Sequence, residues 1–129
     1  MFAAETNPMG ITEFSFIFGD SYCDFRYKNA QGDKCLRLGR NENCFGLFPQ
    51  TGYSRFVGGK KEEGHRYQCA SSFAWGTDNQ MNAQIQIIDD YIGNLHMSFS
   101  YRDSRARIRM EADAENFLGE YNGVLNAFA

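Results

Sequence analysis

From Tyr67 to Ala112, apolar and polar residues alternate at every second position in four successive runs separated by turn-forming clusters. This period of two constrains the fold more than any other feature of the chain. Tyr67, Cys69, Ser71, Phe73 and Trp75 share one face before Gly76-Thr77-Asp78-Asn79 turns the chain. Ala83, Ile85 and Ile87 alternate with Asn82, Gln84 and Gln86 up to a break at Asp89-Asp90. Leu95, Met97, Phe99 and Tyr101 alternate with His96, Ser98 and Ser100. After Arg102-Asp103-Ser104, Ala106, Ile108, Met110 and Ala112 oppose Arg105, Arg107, Arg109 and Glu111. Such runs, joined by short connections, predict a meander of antiparallel strands with one face on a core.

The first half carries the same signal less cleanly. Phe14, Phe16 and Phe18 oppose Glu13, Ser15 and Ile17 up to Gly19-Asp20; Cys23, Phe25 and Tyr27 then alternate with Asp24, Arg26 and Lys28. The turn formers of 29–33 lead into Lys34–Leu38 as a hairpin. Residues 1–9 lack periodicity and contain Asn7-Pro8, so they read as a lead-in, with a single domain over 10–129. After Asp113 the period becomes helical: Phe117, Leu118 and Tyr121 fall on one side of an expected helix over 114–121, which Gly123 would stop. The prediction is an all-β, antiparallel barrel or sandwich of about seven or eight strands with one short C-terminal helix.

The 129 residues suit one domain, and 43% hydrophobic content with 12 Phe and 7 Tyr fills a core without staples. A net charge of -3 argues against nucleic acid and anionic membranes as partners. No apolar run reaches bilayer length, and Met1–Glu5 has no signal-peptide character, so a cytoplasmic location is expected. Cys23, Cys35, Cys44 and Cys69 form no Cys-x-x-Cys pair and read as free buried thiols.

Ile87-Ile88-Asp89-Asp90-Tyr91-Ile92-Gly93-Asn94-Leu95, followed by Ala114-Glu115-Asn116-Phe117-Leu118-Gly119-Glu120-Tyr121-Asn122-Gly123, resembles the end of bacterial β-lactamase-like serine hydrolases. Asn7-Pro8-Met9-Gly10-Ile11 and Phe73-Ala74-Trp75 are similar to earlier family positions. The resemblance implies a lipocalin-like C-terminal barrel following a penicillin-binding-protein-like catalytic domain, whose nucleophile lies in Ser-x-x-Lys. No serine here has Lys three residues on, and Tyr27-Lys28-Asn29, which fits the family's Tyr-x-Asn, stands without a nucleophile. The implied role is non-catalytic.

Other residues offer chemistry of their own. His65 and Cys69, with His96, suggest zinc, but strand positions four apart lie about 13 Å apart, so no metal and no cofactor is expected. Asp89 and Asp90 read as a turn rather than an acid–base pair, and Gly58-Gly59-Lys60-Lys61 as a loop without phosphate-binding order. The Arg105, Arg107, Arg109 stripe reads as a solvated face, or as an anion site if it turned into a wet barrel. Candidate ligand-binding residues are therefore Phe16, Tyr67, Phe73, Trp75 and Arg107. The leading expectation is an accessory domain packed on a hydrolase catalytic domain in cis. The alternative is a free-standing binder of a small apolar or anionic ligand, with homodimerisation open.

Overall fold

A computed structural model describes residues 1–49, 56–57, 60–61, 66–76, 80–88, 92–114, 118–119 and 121–129, and every regular element among them is a strand. In chain order these are β1 (Phe2–Ala4), β2 (Glu13–Phe18), β3 (Tyr22–Asn29), β4 (Gly32–Arg40), β5 (Cys44–Leu47), β6 (Phe56–Val57) and β7 (Lys60–Lys61). The second half adds β8 (Gln68–Trp75), β9 (Gln80–Ile88), β10 (Ile92–Arg102), β11 (Arg105–Ala114) and β12 (Gly123–Phe128).

Nine strands form a closed barrel in the order β4-β3-β2-β1-β12-β11-β10-β9-β8, and a short parallel pairing of β4 with β8 closes the ring at Gly39↔Ser72 and Arg40↔Phe73. β5 lies outside the ring, antiparallel to β8, and β6 pairs with β7 apart from the main sheet. The turns predicted from composition are tight. Asn29 pairs with Gly32, whose φ of 98° suits glycine, and Arg102 pairs with Arg105 across Asp103 at φ 56°.

Two expectations are corrected, and the unforeseen β1 and β12 bring the ring to nine strands where seven or eight were expected. Residues 1–9 are not a lead-in, since β1 bridges β2 and β12 through Phe2↔Phe14 and Ala3↔Phe128. Three residues are too few to display a period. None of the described residues of the helix expected over 114–121 is helical: Asp113 and Ala114 pair with Asn94 and Gly93 in β11, and Leu118 takes φ 62° with the Tyr121 N–H on its carbonyl. Phe117, counted in the helical pattern, lies outside the described residues. β12 escaped notice because Val124, Leu125, Ala127 and Phe128 are apolar on both faces.

The inward rows make one continuous core. Phe14, Leu38, Phe73, Met81, Ile85 and Ile108 are almost wholly buried there, each contributing roughly 1.5–3 kcal/mol on burial. Rings pack across strands: Phe14 stacks on Phe2 at 5.2 Å, and Phe16 on Phe25 at 4.9 Å. The outer wall of β9–β11 presents Asn82, Gln84, His96, Arg105, Arg107 and Arg109 as exposed residues. That is the reverse of the apolar band that a membrane barrel turns to lipid. No helix among the described residues is long and apolar enough to cross a bilayer.

Asp24, at an outward-pointing position of β3, is buried. Asp24 receives two bonds from Arg37, Nε to Oδ1 at 2.8 Å and Nη2 to Oδ2 at 3.0 Å, while the guanidinium also lies 3.9 Å over the Tyr22 ring. The Arg37 hydrogen bonds hold the Asp24 carboxyl below its ordinary range despite burial.

Candidate functional site: the open end of the barrel

Because neighbouring strands alternate in direction everywhere except at the parallel β4–β8 seam, the β2–β3, β8–β9 and β10–β11 connections fall at one end of the barrel. The connections β1–β2, β3–β4, β9–β10 and β11–β12 gather at the other. The two ends are built differently.

The second end is plugged. Residues 5–12 fold over it around Asn7, whose Nδ2 donates to the carbonyls of Glu5 and Ile11 at 2.7 Å each. Asn7 Oδ1 accepts from the N–H groups of Met9 and Ile11. Met9 and Ile11 are thereby buried together with Phe48, Tyr67, Leu118 and Tyr121. The Tyr27 and Tyr121 hydroxyls meet at 2.8 Å, and Phe48 packs edge-on to Tyr121 at 5.3 Å. Gly123 permits the closure: its φ is 134°, and a Cβ there would stand 2.9 Å from Pro8 Cγ.

Among the described residues, the first end is open. Its β2–β3 and β10–β11 turns span only 19–21 and 103–104, too few residues to fold across the barrel. Phe18, Trp75 and Tyr101 continue the inward rows of their strands, yet they remain 44%, 44% and 41% exposed. Phe18 reaches past β3 and β4 to stack on Trp75 at 5.8 Å and to meet Phe73 edge-on at 6.0 Å. Half-buried Phe16 lies 4.4 Å from Phe99, and Phe99 stacks on Tyr101 at 6.1 Å. The result is a shallow aromatic dish on a filled core. Ring faces of this kind suit a flat apolar partner.

The structure separates the residues singled out from the sequence. Phe16, Phe73 and Trp75 belong to the open end; Tyr67 is buried in the plug; exposed Arg107 sits on the outer wall opposite Ser100 and Asn126. The period of two could have added Phe18, Tyr101 and Arg40, since Arg40 extends the inward row of Leu36 and Leu38. His65, Asp89, Asp90, Gly58 and Gly59 lie outside the described residues.

Among the described residues, the groups with catalytic potential lie in the plug, in a hairpin turn, in the core and on the outer wall. Tyr27 of the Tyr-x-Asn pattern is buried on Tyr121, and Asn29 Oδ1 accepts from the Gln31 N–H in the hairpin turn. Burial pushes the Cys23 thiol up to about 12 and raises Cys69 as well. Cys35 is exposed and Cys44 half-buried, which corrects the expectation that all four thiols are buried. On the outer wall, His96 stands opposite Glu111 and Ser98 opposite Arg109, lining a groove of about 310 Å³. The Glu111 carboxylate is held by Arg109 at 2.6 Å in this groove. Among the described residues, no hydrogen bond joins the Ser98 and His96 side chains. A nucleophile–base contact is therefore missing from this cluster.

Comparison with family models, curated proteins and solved structures finds no match to this chain. The class is thus defined by the fold itself: a closed nine-stranded barrel, plugged at one end and aromatic at the other.

Proposed function

We propose that this chain is a non-catalytic binding module that takes a small, flat apolar molecule at the open end of its barrel. The carrying observation is the exposure of Phe18, Trp75 and Tyr101 on rows that elsewhere form the core. Large rings left in water on an inward face, beside a stacking partner, favour a ligand that covers them. The engaged Tyr27 and the raised thiols support a role without catalysis.

Trp75 is the single tryptophan of the chain, so its emission reports from the site itself. Titration with the neutral probe N-phenyl-1-naphthylamine should quench Trp75 saturably, and Phe18→Ala should weaken binding about tenfold, the loss of one stacked ring. An unchanged Trp75 spectrum up to the solubility limit of the probe would sink the proposal.

A second reading follows the resemblance to β-lactamase-like hydrolases, in which the barrel packs on a catalytic domain. One observation favours it: β5, outside the closed ring, exposes Phe45 at 71% and Leu47 at 47%. An immunoblot of the native source separates the two readings. A band far above 14.7 kDa supports the accessory role, and a band at that mass removes the partner in cis.

A further inference from the structure

We infer that the ligand of the open end carries an acid group, and that Arg40 receives it. This inference rests on the reading of the open end as a binding surface and adds the chemical class: a flat apolar acid such as an aryl carboxylate.

Three observations carry it. First, Arg40 is the last residue of β4 and falls on the same face as buried Leu36 and Leu38, so its side chain belongs to the mouth and not to the outer wall. Its guanidinium carbon lies 5.7 Å from the centre of the Phe73 ring, within the aromatic dish. Second, among the described residues the charge has no ion-pair partner. Arg37 is bound to Asp24 and Arg109 to Glu111, whereas Arg40 takes part in no ion pair there. Among the described residues, Asp20 in the β2–β3 turn and Glu42 two residues on are exposed and make no ion pair with it. Third, its backbone is fixed on both sides. The Arg40 N–H donates to the Ser21 carbonyl at 2.9 Å, and the Asn41 N–H to the Phe73 carbonyl at 2.9 Å. The Arg40 backbone is thus fixed by main-chain bonds, while its side chain is exposed at the mouth beside the Phe73 ring.

An arginine lying over a ring still has its N–H edge free, and that edge matches the two oxygens of a carboxylate. A neutral aryl molecule would use the rings and ignore this edge. An aryl acid would use both, with its ring against Phe18 and Trp75 and its carboxylate on Arg40.

The test compares 2-naphthoate with its neutral methyl ester, both read by quenching of Trp75 in the full chain. The acid should bind about tenfold or more tightly than the ester, the value of a charged hydrogen-bonded pair. Arg40→Met, which keeps the aliphatic stem, should abolish that preference and leave the ester unchanged; Arg40→Lys should retain part of it. Arg107→Met, on the outer wall, should do nothing. Equal affinities for acid and ester in the unaltered chain, or an equal loss in Arg107→Met, would overturn the role of Arg40 while leaving the binding surface intact. Failure of both molecules to bind would overturn the binding surface, and this inference with it.

Discussion

The two ends of this barrel are drawn from similar residues and finish in opposite states. Tyr27, Phe48, Tyr67 and Tyr121 at one end are buried, while Phe18, Trp75 and Tyr101 at the other are two-fifths exposed or more. Composition does not separate them; connections do. The plugged end receives residues 5–12, which are long enough to cross it, together with Asn7 to hold them and Gly123 to let Pro8 approach. Among the described residues, the β2–β3 and β10–β11 turns of the open end span only three and two residues. An inward row therefore becomes core or binding surface according to the loop above it.

That contrast predicts unequal costs for the same deletion at the two ends. Phe48→Ala removes a ring with no exposed surface and should destabilise the chain by about 3–5 kcal/mol. Phe18→Ala removes a ring already 44% exposed and should cost no more than about 1–1.5 kcal/mol. Chemical denaturation of the two variants measures both. Equal losses would mean that Phe18 is core and that the open end is closed.

The sequence carried the barrel but not its ends. The runs from Tyr67 to Ala112 appear as β8–β11 because each alternates over enough residues to show a period, and β2–β4 follow for the same reason. β1 is too short to show one. β12 is apolar on both faces, and the stretch before it mimics a helix because Phe117, Leu118 and Tyr121 are spaced three to four apart. The candidate site was half legible. Period identified the aromatic rows, but it cannot say which end of a row meets water, so Tyr67 and Trp75 looked alike. Arg107 was chosen as part of a stripe, whereas the arginine on an inward row, Arg40, broke no pattern.

The open end has a clasp on its outer wall, and acid should release it. Asp24 is buried beneath Arg37, its carboxyl lowered in the fold and ordinary in the unfolded chain. A lowered acid stabilises fully above its unfolded value, near about 3.9, and that stabilisation is lost as pH falls through the folded value. Melting temperature should therefore drop on acidification below about pH 4. Asp24→Asn should flatten that part of the profile and cost about 1 kcal/mol at neutral pH, since Arg37 is half-exposed and water screens the pair. An unchanged acid limb in the variant would assign the clasp no role in stability.

The finest test of the two ends uses the thiols already present. Cys23 lies under the open end, in register with Phe18 and Leu38, and Cys69 lies towards the plug, between Gly46 and Ile87. Burial raises both, so neither reacts in place. Each must wait for its part of the barrel to open, and in the opened state it regains an ordinary thiol's reactivity; the labelling rate then measures the opening. With iodoacetamide at mildly alkaline pH, exposed Cys35 should react first and half-buried Cys44 next. Cys23 should follow ahead of Cys69, because short turns and half-wet rings hold the open end while the Asn7 loop locks the other. Peptide mapping by mass spectrometry over time reads the order. A ligand seated on Phe18 and Trp75 should slow Cys23 and leave Cys69 unchanged. If Cys69 reacted first, the plug would be the weaker end, and the aromatic dish would owe its exposure to something other than a missing lid.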